Sequence, residues 1–153
     1  LASIRQQLLP ALERVLLTLW AGSLWVTGFM VAPVLFASLD DRALAGSIAG
    51  ELFGLTAWLG LGCGLALLVA AYVRGGRGGW RLWVMVIMLL LVAAGQFVLA
   101  PMIADLRAAG QSGTPRFGQL HGVASLLFLA TAVLGLGLVA AGPGGGTQSA
   151  ASR

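Results

Sequence analysis

Residues 82–103 read LWVMVIMLLLVAAGQFVLAPMI, a run of 22 with no Asp, Glu, Lys or Arg. At about 1.5 Å per residue a helix of that length reaches about 33 Å, enough for a hydrocarbon core of about 30 Å. A charge at the bilayer centre is strongly unfavourable, so this absence is what lipid selects. Working outward, three more uncharged stretches of the same length occur at 15–36, 52–73 and 120–141. The pattern predicts an all-α, polytopic membrane protein: a four-helix transmembrane bundle spanning 15–141. Residues 1–14 are expected to form an N-terminal stub or interfacial helix, and 142–153 a flexible C-terminal tail that stops the fourth helix.

Composition supports this reading. Hydrophobic residues make up 59% of the 153, and Gly adds 23 more, against only 9 basic and 5 acidic residues. Mean hydropathy is +0.96. A soluble domain of this size needs more charge to cover its surface, which argues against a soluble enzyme. Disorder needs low hydrophobicity and is excluded. All basic residues are Arg, scattered over separate polar stretches, so no nucleic-acid surface is expected. Cys63 stands alone in an apolar run and reads as a packing residue.

The first span is too long for a signal peptide, holds Trp20 and Trp25, and is followed by others. In the stub, Ile4, Leu8, Leu9 and Leu12 share one side of a helix. It reads as an interfacial helix or as an early extension of the first span, with Pro10 at the boundary.

Arg5, Arg14, Arg74, Arg77, Arg81 and Arg153 fall on one side of the membrane, and Arg42, Arg107 and Arg116 on the other. Positive charge stays inside, so both termini and the middle loop are expected to face the cytoplasm of a bacterial inner membrane. Tyr72, Trp80 and Trp83 flank that loop as an interfacial belt, with Phe36, Phe53 and Phe117 at the opposite interface.

Phe29-Met-Val-Ala-Pro33 matches Phe97-Val-Leu-Ala-Pro101, and Leu52-Phe-Gly54 loosely matches Arg116-Phe-Gly118. Hairpins two spans apart share an orientation, so the reading is a pair of parallel repeated hairpins. Pro33 and Pro101 are expected to kink or terminate the helix ends. Gly60, Gly62 and Gly64 offer close-approach surfaces for helix packing, within the bundle or against another subunit.

Thr27, Glu51, Thr56, Gln96, His121 and Ser125 are the polar residues within or near the spans. Gln96 in hydrocarbon needs partners and should face the bundle interior. Glu51 opens the second span and suits a helix N-terminus, while Asp40 and Asp41 suit a cap for a helix over 43–50. Glu51, Gln96 and His121 form the candidate outer-face polar site. It would pass a proton or touch a metal, a haem edge or a quinone, with Met30 and Met102 as soft sulfur neighbours. The alternative is that His121 pins two helices by bonding Glu51 or a backbone carbonyl. There is no catalytic constellation: no phosphate loop, CxxC or HExxH. No metal site is assigned, and the cofactor, if any, is unknown.

Residues 29–36 (FMVAPVLF), 44–53 and 117–126 (FGQLHGVASL) resemble a small bacterial four-span membrane family of unknown function. That family is similar to a eukaryotic transmembrane protein linked to cisplatin resistance. The resemblance covers about 12–140 and implies a compact four-helix membrane domain, with Pro33 and His121 at recurring positions and no established reaction. In general character the chain also resembles four-span copper-resistance domains, though its single His departs from them.

The expected function is a non-enzymatic accessory or scaffold subunit, with another membrane protein or a second copy as partner. A small transporter or metal and drug tolerance factor, and a haem- or quinone-associated redox protein, fit the same residues.

Overall fold

The computed structural model describes residues 2–73 and 79–142, with side chains from residue 8 onward. Most of the Arg- and Gly-rich middle loop (74–78), the tail from residue 143 and the stub side chains Ile4 and Arg5 lie outside the described residues. Four helices are long and apolar enough to cross a membrane: Leu8–Ser38 (α1), Arg42–Val73 (α2), Trp80–Ala108 (α3) and Pro115–Ala140 (α4). No strand occurs among the described residues.

Each helix overruns its expected span. Helical backbone begins at Ala2 and passes through Pro10 without a break, so the stub is an extension of α1. Residues 43–50 belong to α2, which starts at Arg42. Asp41 caps it: its Oδ1 accepts from the Ala43 and Leu44 amides at 2.8 and 3.1 Å. Glu51 therefore lies well inside α2 and cannot serve its N-terminus, whose free amides are confined to the first turn. Gly110, at φ +69°, ends α3, with the Gln111 amide reaching back to Leu106 O at 2.8 Å. At α4 the Thr114 hydroxyl accepts from the Phe117 amide, and Gly142 at φ +67° closes the far end.

The helices pack as a ring, α1 on α2, α2 on α3, α3 on α4 and α4 on α1, which leaves α1 diagonal to α3. The core draws Leu17, Trp20 and Leu24 from α1, Cys63 and Leu67 from α2, Met85 and Met88 from α3, and Ala132 and Leu138 from α4. Lipid is as apolar as leucine, so what holds these helices is close packing and a few polar ties. Trp20 is wholly buried and fills the notch that Gly60 and Gly64 leave in α2. Met88 fills a similar notch at Gly135, and Phe128 one at Gly28. Trp25 Nε1 donates across to Ala132 O at 3.2 Å, and Arg81 Nη2 to Leu138 O at 3.3 Å. Outside this core the helices expose Leu55, Leu65, Val69 and Leu126, each more than half accessible, which only lipid or another protein can cover.

The end bearing the start of α1 and the end of α4 is called proximal, and the end bearing connections 39–41 and 109–114 distal. Tyr72, Trp80 and Trp83 are exposed toward the proximal end.

Candidate functional site

The two Phe-x-x-Ala-Pro segments have the same backbone. Thr27–Val31 and Gly95–Leu99 are each a five-residue π-helical turn, and each is followed at once by Ala-Pro. The Ala32 amide donates to Thr27 O, and the Ala100 amide to Gly95 O, in both cases five residues back. Proline explains the geometry. Pro33 has no amide hydrogen, and in α-geometry its ring would press on the Phe29 carbonyl. Widening the preceding turn relieves that clash, and Pro101 does the same at Phe97. Neither proline terminates its helix, which runs on to Ser38 and to Ala108. The Phe-x-x-Ala-Pro match is thus a structural one, placed in the two diagonal helices, whereas Leu52-Phe-Gly54 lies ten residues inside α2 and its partner Arg116-Phe-Gly118 in the first turn of α4.

Both π turns carry polar residues to the same stretch of α2. Thr27 Oγ1, at the start of the first turn, lies 2.9 Å from Thr56 Oγ1. The Thr56 hydroxyl also reaches Leu52 O at 2.8 Å, so Thr27 can donate to Thr56 while Thr56 donates onward. In the second turn the Gln96 amide stands against Gly54, its Nε2 and Oε1 each 4.0 Å from where a β-carbon would be. The residue matched to Gln96 by the repeat is Gly28, which lies under the Phe128 ring of α4. A glycine under a bulky ring in one half thus answers a glutamine over a glycine in the other.

Glu51, Gln96 and His121 are not tied to one another. Among the described residues no hydrogen bond or ion pair joins them, and Glu51 and His121 are exposed. The His121 ring stacks on Phe117, 6.0 Å between centroids at 4°, and its carbonyl accepts from the Ser125 hydroxyl at 2.9 Å. Its side chain bonds neither Glu51 nor a carbonyl. Met30 and Met102 are both exposed. Among the described residues no three His, Cys, Asp or Glu side chains gather as a metal-holding group.

The glycines singled out for packing divide. Gly60 and Gly64 are buried against Trp20, whereas Gly62 is exposed with no atom near its missing β-carbon. Two residues at 3.6 per turn is a rotation of about 200°, which carries Gly62 to the opposite face. Gly118, Gly122 and Gly137 of α4 likewise face open space.

One distal feature went unread in the sequence. Arg107, in the last turn of α3, lies along α2 with Nη2 and Nε 3.8 and 3.9 Å from the β-carbon position of Gly46. Its Nη1 is 3.4 Å from that of Gly50, and the guanidinium sits 6.0 Å from the Phe117 ring centroid. The four-residue spacing of Gly46 and Gly50 was the available signal.

Four apolar helices in a ring, joined by short connections and closed at the core by tryptophan and methionine, define a multi-pass helical membrane protein. The chain belongs to the DUF4149 family, described as a domain of unknown function, whose model matches residues 15–112. That match takes in α1 to α3, both π turns, Glu51 and Gln96, and stops before the 117–126 stretch that holds His121. No curated protein and no solved structure matches the chain.

Proposed function

We propose that this protein is a non-enzymatic accessory or scaffold subunit that docks another transmembrane helix, from a partner or a second copy, on the outward face of α4. The observation that carries the reading is the division of its glycines. Gly28, Gly60, Gly64 and Gly135 are each filled by a side chain of this same chain, while Gly118, Gly122 and Gly137 have nothing within 4 Å of the β-carbon position. Gly118, Gly122 and exposed Ser125 follow one another at helical spacing along the distal half of α4, and Gly137 and exposed Ala140 open its proximal end. Small residues on a lipid-facing surface give up side-chain contacts with lipid and allow a second backbone to approach.

The membrane of this reading is a bacterial inner membrane with both termini cytoplasmic, supported by the excess of Arg at the proximal end. Kinship with the bacterial family similar to the cisplatin-resistance protein belongs to the same proposal and is supported by residues 29–36 and 117–126. A second reading, as a small transporter, draws on the paired π turns, since such turns often mark functional sites. Against it, the core that closes the bundle is apolar.

Intact-complex mass spectrometry on protein extracted from native membranes in mild detergent tests the docking role. The expected result is a second subunit bound to the wild type and lost in Gly122→Ile, with monomer melting unchanged. A wild-type monomer, or a complex indifferent to Gly122→Ile, overturns the reading; solute uptake into vesicles abolished by Gln96→Leu would favour transport.

A further inference from the structure

The distal end holds a cation without a partner. Arg107 is half-buried, and among the described residues it forms no ion pair and donates no hydrogen bond; its one interaction is with the Phe117 ring. None of its guanidinium nitrogens is both buried and unpartnered, so a planar donor face stays open to an anion from outside the chain. The surrounding acids do not supply it. Asp41 is engaged in capping α2, Asp105 and Asp40 are exposed, and Glu51 is exposed beside Gly50 without pairing to Arg107.

Depth indicates what the anion is. α4 has 26 residues. That is about 39 Å, so it overhangs a core of about 30 Å by about 4–5 Å at each end. Phe117 stands two residues inside the start of α4. This places it, and Arg107 beside it, at the boundary where hydrocarbon gives way to headgroup. The anion present at that depth in a phospholipid bilayer is the phosphodiester.

The notch is shaped for a flat cation. Gly46 and Gly50 lack the side chains that would push the guanidinium off α2, and Phe36 closes the side of Gly46, its Cζ 3.9 Å from the β-carbon position. Arg42 is one turn before Gly46 on the same face of α2, and it is exposed. The Gly46–Gly50 strip thus carries the planar guanidinium of Arg107, whose fork of N–H donors suits phosphate oxygens, and Arg42 adds a second positive charge one turn earlier on α2.

We infer that Arg107, seated on Gly46 and Gly50 against Phe117 with Arg42 above, binds the phosphate of a phospholipid headgroup at the distal end of the bundle. This does not depend on α4 docking a partner.

Full-length protein, delipidated in mild detergent, would be titrated with dioleoylphosphatidylglycerol or with a phosphate-free galactolipid of the same chains, and bound lipid read by native mass spectrometry. Wild type should retain the phospholipid and not the galactolipid. Arg107→Gln should weaken retention about tenfold, as losing a charge-assisted hydrogen bond does. Gly46→Leu, which fills the notch but keeps the arginine, should act in the same direction, and Arg116→Gln should not. Equal retention of both lipids, or retention unchanged in Arg107→Gln, overturns the site. Displacement by millimolar inorganic phosphate would assign it to free phosphate and overturn the lipid. If Arg107→Gln does not fold, the comparison of lipids on wild type still decides.

Discussion

Trp20 lies across Gly64, its Cζ3 2.9 Å from where a β-carbon on that glycine would stand, while its Nε1 lies over Gly60 one turn away. One indole thus occupies two turns of α2, and its N–H is buried there without an acceptor. The orphan donor is tolerated because the ring's contacts on two helices outweigh one unmet hydrogen bond, itself about 1–3 kcal/mol.

Filling that notch should destabilise the bundle. Gly64→Leu would drive side-chain atoms into Trp20 and into Leu89, whose Cδ2 is 2.6 Å from the same position. Overpacking of this kind costs about 1–3 kcal/mol. Gly62→Leu, which meets only open space, should change stability by less than about 0.5 kcal/mol. Thermal unfolding in detergent, followed by tryptophan fluorescence, separates the two; equal effects would refute the assignment of faces.

Thr27 and Thr56 should behave as one unit. Thr56→Val removes the 2.9 Å contact to Thr27. Interhelical hydrogen bonds in membranes average about 0.6 kcal/mol, so each single valine variant should lose about that much. The double variant should lose less than the sum of the two, and a strictly additive double-mutant cycle would show that the hydroxyls do not interact.

The π turn predicts an unusual tolerance. A π turn amounts to one residue inserted into an α-helix, so deleting exposed Met30 should return the turn to α without rotating the flanking helix faces. Pro33 would then meet the clash that the turn relieves, at about 3 kcal/mol. Deletion of Met30 combined with Pro33→Ala should therefore fold better than the deletion alone. Deletion of Leu65, inside regular α2, rotates one helix segment by about 100° against the other and should abolish assembly. Monodispersity on size-exclusion chromatography reports each outcome.

Asp41→Ala should lose about 1 kcal/mol, since two amides at the start of α2 lose their acceptor. Asp41→Asn, which keeps the acceptor oxygen, should recover most of it. Guided by the same geometry, Asp40→Ala should be silent, because no cap bond involves it. Melting temperatures of the three variants check this.

The amino-acid sequence by itself determined the number of spans and their approximate places. Hydrocarbon rejects charge and unpaired backbone, so an uncharged run of 22 residues is a statement about solvent that needs no knowledge of neighbours. It also carried the Phe-x-x-Ala-Pro repeat, since proline acts on its own helix. Capping by Asp41 could be read for the same reason.

Which way each residue faces was decided only by the tertiary structure. In water an amphipathic stripe marks the buried side of a helix, but in lipid the buried and exposed sides are alike apolar, so periodicity does not distinguish them. That is why Gly62 looked equivalent to Gly60 and Gly64, although it turns outward. The grouping of Glu51, Gln96 and His121 came from rough depth along separate spans, which says nothing about rotation around each helix axis. Arg107 found its place on Gly46 and Gly50 through the packing of α3 on α2, and Thr27 met Thr56 through the packing of α1 on α2. Depth in a membrane is set by what a residue is, and facing by which helix lies beside it.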